Sequence, residues 1–248
     1  MVAALSGSFR AVPIACCWGL RFERGSSNLS GMARSGTGDA LLRELPKHFG
    51  TILIDPPWRF TNRTGKVAPE HKRLHRYPTM SFDEIAELPV GRLALPSSHL
   101  YLWCPNALLL EALTIIKAWG FTYKTNLVWY KVRKDGGPDG RGVGFYFRNV
   151  TELLLFGVKG HLRTFKPGRT QVNIMISRKQ EHSRKPQMAY RIIQQCSPGP
   201  YLELFAREKV PGWTQWGDQL ETYEQTRLVY PAYNGSRTCV VTPQAHSD

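Results

Sequence analysis

The chain has 248 residues, 42% of them hydrophobic and 21% charged, which excludes a protein disordered throughout and leaves one α/β domain or two small domains. The formal net charge of +14 favours an anionic partner such as nucleic acid, although basic proteins also occur for reasons of solubility. No uninterrupted apolar run approaches the length of about 18 residues that a membrane span requires, so we expect a soluble protein.

Residues 1–40 differ in composition from the rest of the chain. They are rich in Ser, Gly and Ala and contain few acidic residues. We predict a disordered or non-native leader here, and the composition leaves open a secretory signal, an organelle transit peptide or a true translation start at Met32. A folded domain is expected over residues 41–220, followed by a polar tail over residues 221–248.

From Thr51 onward, strand and helix patterns alternate. Runs of apolar, β-branched or aromatic residues predict strands at Thr51–Asp55, His99–Cys104, Asn126–Lys131, Thr151–Val158, Val172–Ser177 and Tyr201–Arg207. The continuously apolar segments TILID and ELLLFGV are typical of a parallel sheet that is covered on both faces. The sequence therefore predicts an α/β fold with a doubly wound, mostly parallel sheet, which binds its ligands at the carboxyl ends of the strands.

Three helices are expected between these strands. Ser81 and Glu84 form a capping box that opens a short helix. Asn106 is predicted to cap a helix that Gly120 ends, and Lys185-Pro186 to begin a third helix. The side chains expected to face inward from the second and third helices are Leu109, Leu113, Ile116, Trp119, Met188, Ile192 and Ile193.

The tetrapeptide Asp55-Pro56-Pro57-Trp58 directly follows the first predicted strand, which places it at the ligand-binding edge. A carboxylate there can orient the N–H groups of a weakly nucleophilic aromatic amine and stabilise the positive charge that develops during transfer. The prolines restrict the backbone so that the Pro56 carbonyl can face the same amine, and Trp58 offers a face on which a flipped base can stack. An ordinary turn is the alternative interpretation of these four residues.

Cysteine and histidine patterns predict neither a disulfide framework nor a metal site. The five cysteines form no C-x-x-C pair. His71 and His75 have helical spacing but lie in a Lys/Arg-rich run without an acidic or Cys companion. We therefore expect no metal.

Basic residues are concentrated in two stretches that are expected to be loops flanking the site. Residues 59–76 carry six Lys/Arg against one Glu, and residues 159–191 carry nine against one. Such stretches are typical of surfaces that contact phosphates. The candidate nucleic-acid-binding residues are Arg63, Lys66, Lys72, Arg73, Arg76, Arg178 and Lys179.

Five segments, in order, resemble the MT-A70 family, which contains the messenger-RNA adenosine N6-methyltransferase and its bacterial and phage relatives. They are ILIDPPW, LVWYK, FRNVTELLLFGVKG, RKPQMAYRIIQQCSPGPYLELFAR and GWTQWGDQL, within about residues 48–220. The resemblance implies a Rossmann-like class I methyltransferase with permuted motif order, in which the catalytic motif precedes the main cofactor-binding segment. It also implies S-adenosylmethionine as cofactor.

The family pattern assigns roles to individual residues. It makes Asp55, Pro56, Pro57 and Trp58 the catalytic site for the target adenine, with Asp55 also close to the cofactor. The other cofactor contacts that the resemblance implies are Lys185, Glu203, Arg207, Asp218 and Gln219. Asp218 departs from the family pattern, which has Asn at this position.

The leading hypothesis is methylation of the N6 amino group of adenine in DNA, because the chain resembles the compact bacterial and phage members and lacks zinc-finger cysteines. The same reaction on RNA and a non-catalytic nucleic-acid-binding subunit are the alternatives. A homodimer or a partner subunit is left open, and no membrane association is expected. If residues 1–40 are not a transit peptide, we expect a nucleoid-associated protein in bacterial cytoplasm.

Overall fold

A computed structural model of the chain describes residues 34–45, 48–60, 79–140, 146–178 and 184–217. The helices are α1 (Arg34–Glu44), α2 (Phe82–Ala86), α3 (Val90–Leu93), α4 (Leu109–Ala118) and α5 (Gln187–Cys196). The strands are β1 (Phe49–Ile54), β2 (Ala94–Cys104), β3 (Thr122–Val132), β4 (Thr151–Lys159), β5 (Ile174–Arg178), β6 (Tyr201–Leu204) and β7 (Trp213–Trp216). Within these described segments, no helix is long and apolar enough to cross a membrane.

The seven strands form one sheet in the order β5-β3-β4-β2-β1-β6-β7. Strand β1 lies between β2 and β6 and is parallel to both, and β7 and β5 extend the sheet as parallel edge strands. Only β4 runs in the opposite direction among these strands. The predicted α/β fold with a mostly parallel, doubly wound sheet is thus confirmed, and it is the arrangement of a Rossmann-like methyltransferase.

The direction of β4 corrects one expectation. The apolar run ELLLFGV was interpreted as a parallel strand, but β4 pairs antiparallel with both β2 and β3. Its side chains are nevertheless buried on both faces of the sheet, with Leu155 on one side and Leu154 and Phe156 on the other. A continuous apolar run therefore indicated two-sided burial, which does not depend on strand direction.

Two apolar layers cover the sheet. On one face, α1 to α4 pack against side chains such as Ile52, Ile54 and Leu102. On the other face, α5 packs against Leu53, Trp103 and neighbouring residues. Because alternate residues of each strand point to opposite faces, consecutive positions of β1 contribute to different layers. This pattern fixes the sheet between the two helical layers. Because β1, β2, β3, β6 and β7 run in the same direction, their carboxyl ends lie at one edge of the sheet.

The capping box at Ser81 is confirmed. The Ser81 hydroxyl accepts from the Glu84 N–H at 3.3 Å, and Glu84 Oε2 accepts from the Ser81 N–H at 2.7 Å. The predicted cap at Asn106 is wrong, because its side-chain amide donates to the carbonyl and hydroxyl of Thr151 at 3.2 and 3.0 Å. Asn106 instead begins a single 3₁₀ turn, and α4 begins at Leu109.

The inward faces of α4 and α5 were only partly predicted. Ile116, Trp119, Ile192 and Ile193 are buried as expected, but Met188 is 42% exposed. In α4 the buried positions are Ala112, Ile115 and Ile116, so the buried face is rotated away from the exposed Leu109 and the partly buried Leu113. Gly120 ends the helix at φ +80°, a conformation that favours glycine.

Three elements were not predicted, and one of them is the single-turn helix α3 (Val90–Leu93). The short edge strand β7 was matched to a family motif but not read as a strand, because four residues, two of them polar, show no strong pattern. Helix α1 begins at Arg34, inside the segment interpreted as a leader. The earlier part of that leader and the predicted tail lie outside the described residues, and the proposed domain boundaries stay predictions.

Candidate active site

Asp55 follows β1 directly, and the sheet places it at the shared carboxyl edge. Its backbone N–H donates to the carbonyl of Leu204 at 3.4 Å, continuing the pairing of β1 with β6. The side chain is only 13% exposed. The predicted position of the tetrapeptide at the end of a central strand is therefore what the structure shows.

The two prolines hold a tight turn. The Pro56 carbonyl accepts from the Trp58 N–H at 2.8 Å, and the Pro57 carbonyl accepts from the Met80 N–H at 2.9 Å. Pro56 is buried, while Pro57 is partly exposed. The Pro56 carbonyl, expected to face the target amine, thus already has a donor within the turn. The tetrapeptide does form a turn, as the alternative interpretation predicted. A turn and a binding site are compatible interpretations, because the same backbone can be both.

Trp58 does not present the free stacking face that the sequence suggested. Its ring is 6% exposed, and its indole N–H donates to the Trp103 carbonyl at 3.0 Å. Phe82 of α2 packs beside it with the ring centroids 6.2 Å apart. Because a large apolar ring gains more from burial than from exposure at the edge, Trp58 anchors the turn in the core.

Lys185 is bound to Asp55 through both carboxylate oxygens. The distances from Lys185 Nζ are 2.9 Å to Oδ1 and 3.0 Å to Oδ2. The lysine lies shortly before α5, the helix that covers one face of the sheet. Its ammonium also lies 5.2 Å from the centre of the Trp103 ring, a cation–π contact. Two of the residues that the family pattern placed near the cofactor, Asp55 and Lys185, are therefore brought together.

Glu152, at the start of β4, extends this pair into a network of alternating charges. Its Oε1 lies 3.0 Å from Lys185 Nζ, and its Oε2 lies 2.8 Å from Lys131 Nζ on β3. Burial alone would raise the pKa of Glu152, but the charges of Lys185 and Lys131 outweigh this and lower the pKa to about 2. Burial likewise opposes the charge of Lys185, while Asp55 and Glu152 raise its pKa above the ordinary value.

The ion pairs of Glu152 with Lys185 and Lys131 were not predicted from the sequence. The available signals were a single Glu at the second position of the largely apolar strand TELLLFGVK and the Lys that ends LVWYK. A charged residue within a strand buried on both faces needs a partner of opposite charge. That argument predicts a partner but does not name it.

Glu203 is a second buried carboxyl group at this edge. It lies on β6 and is 6% exposed, accepting from the Tyr190 hydroxyl at 2.8 Å and from the Gln215 amide at 2.6 Å. Burial raises its pKa to about 7, because these two donors only partly offset the loss of solvent and the nearby carboxylates Asp55 and Glu208 oppose ionisation.

The chain after β6 adds a strained turn and a second ion pair. Phe205 has φ +62°, an uncommon left-handed conformation for a residue with a side chain. Arg184 is ion-paired with Glu208, which also accepts from the Gln187 amide at 2.8 Å. A side chain at Gly217 would clash with the Ala206 carbonyl, so only glycine lets the end of β7 approach this turn.

The remaining predicted site residues are distributed unevenly. Arg207 is partly buried shortly after β6, and Arg178 is exposed at the carboxyl end of β5. Both therefore lie on the same edge of the sheet as Asp55. The predicted residues that fall outside the described part of the chain are Asp218, Gln219, Arg63, Lys66, Lys72, Arg73, Arg76 and Lys179.

This arrangement can supply fixed charge to a reacting group without a metal ion. Among the described residues there is no cluster of three or more His, Cys, Asp or Glu side chains suited to a metal. Asp55 is held by a lysine that is itself held by Glu152. Each carboxylate oxygen of Asp55 has a second acceptor site, so it can still accept an N–H from a bound amine.

Comparison with known proteins identifies the family. A family model described as MT-A70 matches residues 49–219. The type II methyltransferase M.MunI from a Mycoplasma species is 26% identical over 196 residues, covering 72% of this chain and 81% of that protein. The human N(6)-adenine-specific methyltransferase METTL4 is 28% identical over 211 residues, which is 77% of this chain but 41% of the human protein.

A third relative is a non-catalytic protein. The Drosophila melanogaster METTL14, an N(6)-adenosine-methyltransferase non-catalytic subunit, is 27% identical over 207 residues, covering 77% of this chain and 51% of that protein. The chain thus spans most of the Mycoplasma relative and about half or less of the two animal relatives. The family model covers most of the described sheet and includes Asp55, Glu152, Lys185 and Glu203. The chain belongs to the MT-A70 family of methyltransferases.

Proposed function

We propose that this protein transfers the methyl group of S-adenosylmethionine to the N6 amino group of adenine in DNA. The observation that carries the proposal is the position of Asp55, a partly buried carboxylate at the end of β1 whose two oxygens are held by Lys185. A carboxylate fixed in this way needs little reorganisation when charge develops next to it.

Asp55 acts on the amine. Its oxygens accept an N–H of the adenine amino group and align the nitrogen lone pair for attack. As the nitrogen–carbon bond forms, the bond from that carbon to its leaving sulfur breaks and the nitrogen becomes positively charged. The nearby carboxylate stabilises that charge until the nitrogen releases one of its protons. Lys185 and Glu152 keep the carboxylate in place, so that positioning provides much of the acceleration.

The side chains at this edge fit S-adenosylmethionine, which supplies a methyl group on a positively charged sulfur. Glu203 is a buried carboxyl group whose hydrogen-bond donors in the described structure, Tyr190 and Gln215, are both uncharged. A ligand with hydroxyl groups or positive charge would stabilise its ionised form. Arg184, which lies shortly before α5, has a buried Nε that lacks a hydrogen-bond partner. Such an N–H donor is suited to a ligand carboxylate.

DNA is proposed as the polymer because the match spans 81% of a type II methyltransferase and because this compact chain resembles the bacterial and phage members. The exposed Arg178 lies at the carboxyl edge of the sheet and is followed in sequence by Lys179, another predicted phosphate contact. Such residues would hold the backbone while the target base leaves the stack. RNA is the second candidate polymer.

The test is methyl transfer from labelled S-adenosylmethionine to DNA and RNA pools of matched sequence, followed by nucleoside analysis. We expect N6-methyladenine in DNA, its loss in Asp55→Ala, and its retention in Asp83→Ala, which removes an exposed carboxylate from α2. Label confined to RNA would replace DNA by RNA in the proposal. Label in neither pool would favour a non-catalytic subunit like the Drosophila relative.

A further inference from the structure

A cavity of about 400 Å³ lies on the α5 side of the sheet, away from Asp55. Its floor is apolar and includes Leu127, Phe156 and Ile192 of the buried layer. Its rim is formed by the first half of β3 and by residues 162–173. A volume of this size falls within the range of small-molecule sites, roughly 300–1,000 Å³.

The cavity is separate from the catalytic edge. Leu127 precedes Lys131 on β3 by about 13 Å at the rise of a β-strand, and Phe156 follows Glu152 on β4 by about the same distance. On α5, Cys196 lines the cavity, while Lys185 lies just before the opposite end of that helix. On β3, β4 and α5 alike, the cavity and the Asp55 site therefore lie toward opposite ends of the sheet.

The charge of the rim is one-sided. Three exposed cations, Lys124, Arg163 and Arg169, line the cavity, and its described lining includes no Asp or Glu. Arginine pairs well with phosphate because its planar N–H groups match two phosphate oxygens at once. The rim therefore favours an anionic group, and phosphate in particular.

Amide side chains also line the cavity. Asn126, Gln171 and Asn173 line the cavity and provide both donors and acceptors, the combination that pairs with the polar edge of a nucleobase. The apolar floor at Leu127 and Phe156 offers apolar contact to the face of a base. Phosphate-binding cations, base-edge amides and an apolar floor together match a nucleotide.

We propose that this cavity binds one nucleotide other than the reacting adenine. The nucleotide is either free in solution or part of a strand that passes from the catalytic edge around the side of the sheet. The second source rests on the proposed nucleic-acid substrate, and the first does not. Arg163 and Arg169 bind the phosphate, and the base lies on the apolar floor.

The experiment is a calorimetric titration of the full chain with uridine 5′-monophosphate and with a short oligothymidylate, neither of which contains the adenine amine. The test variant is Arg163→Ala with Arg169→Ala. The matched control is Arg92→Ala with Lys117→Ala, which removes the same number of exposed cations from the helices on the other face. The melting temperature of each variant is measured, because Arg169 Nε also donates to the Thr164 carbonyl at 3.3 Å.

We expect affinity for at least one probe to fall about tenfold or more in the test variant, as for loss of charge-assisted bonds, and to change little in the control. Lys124→Ala, on the strand, should weaken the same probe even if the double variant unfolds. A comparable loss for both probes identifies the strand as a source, and a loss for the mononucleotide alone identifies a free nucleotide. The proposal would be overturned if neither probe bound, or if the affinities were unchanged by the substitutions of Lys124, Arg163 and Arg169.

The result is independent of the proposed catalysis. Asp55→Ala should abolish methyl transfer and leave binding of uridine 5′-monophosphate unchanged, because Asp55 does not line the cavity. If the cavity fails to bind either probe while methyl transfer persists, only the inference about this cavity is wrong. If binding persists without methyl transfer in the unaltered chain, only the proposed function is wrong.

Discussion

Two carboxyl groups at the same edge of the sheet, Glu152 and Glu203, have pKa values shifted in opposite directions. Glu152 lies between Lys185 and Lys131, and these cations lower its pKa to about 2. Glu203 is held by an uncharged hydroxyl and an uncharged amide, and burial raises its pKa to about 7. Burial acts in the same direction on both groups, so the charge of their partners decides the difference.

The proposed function assigns different roles to these two parts of the edge. The network of Asp55, Lys185, Glu152 and Lys131 is balanced in charge and is suited to hold Asp55 in one position. The Glu203 cluster, formed with Tyr190 and Gln215, contains a carboxyl group that a bound cation or hydroxyl-bearing ligand would stabilise in its ionised form. We therefore associate the first with the amine and the second with the cofactor.

The largest effect on stability is expected from Lys185→Met. This change leaves Asp55 and Glu152 close together without the cation between them, and the loss of a buried partner costs about 3–5 kcal/mol. Urea denaturation measures the free energy of unfolding. Lys117→Met, on the exposed side of α4, is the control and should change it little. A loss below about 1 kcal/mol, the scale of surface ion pairs, would show that the network is solvated.

The pH dependence of stability should show the two carboxyl groups separately. The pKa of Glu203 is raised in the folded chain, so its contribution is fully present below the ordinary pKa of 4.5 and is lost as pH rises toward about 7. The pKa of Glu152 is lowered, so its contribution is present above 4.5 and is lost as pH falls toward about 2. Each loss amounts to about 3 kcal/mol at most.

Denaturation at several pH values, repeated with Glu203→Gln and Glu152→Gln, measures these losses. Glu203→Gln should remove the decline between pH 4.5 and 7, and Glu152→Gln the decline between pH 4.5 and 2. Profiles that the two substitutions change in the same pH window would contradict the distinction between the sites.

A smaller effect is expected from Tyr190→Phe. Loss of its hydroxyl removes one donor to Glu203, which should cost about 1 kcal/mol and raise the pKa of Glu203 further. Tyr201→Phe is the matched control, since that hydroxyl donates to the Ser197 carbonyl at 2.8 Å instead. Titration of Glu203 by carbon-detected NMR distinguishes the two variants. Equal pKa values in both would mean that Tyr190 does not support this carboxyl group.

An effect of similar size, but without a change in any pKa, is expected outside both regions. Ser81→Ala removes the capping box of α2 and should cost about 1 kcal/mol, because the amide of Glu84 loses its acceptor. The loss should be the same at every pH between 5 and 8, because neither the serine hydroxyl nor the Glu84 N–H titrates in this range. A loss that varies between pH 5 and 8, measured by thermal unfolding, would indicate coupling between α2 and the catalytic edge.

Parts of the structure that depend on local signals could be predicted from the sequence, whereas parts that depend on distant partners could not. Asp55 could be placed because the strand before it is strongly apolar and the motif contains two prolines, both local signals. The partners of Glu152 could not be named, since the network joins β1, β3, β4 and the residue before α5, which are distant along the chain. Long-range partners depend on topology, and the reversed direction of β4 left no trace in its apolar pattern.

Residue type was also an uncertain guide to role. Trp58 and Asn106 were each assigned a local task, stacking and capping, that suits the isolated side chain. In the fold, the indole of Trp58 bonds to Trp103 and the amide of Asn106 bonds to Thr151. In both cases a tertiary hydrogen bond satisfied a polar group that would otherwise be left unpaired at the core boundary.

The most direct test is the turnover of Asp55→Asn with adenine-containing DNA, or with RNA if that proves to be the polymer. Asparagine keeps the shape of the side chain but removes its negative charge. We predict a decrease in kcat of about 10²–10³-fold, with cofactor affinity changed much less, because the charge acts on the developing transition state. Turnover close to that of the unaltered chain, with Asp83→Asn as the exposed control, would contradict the assignment of Asp55.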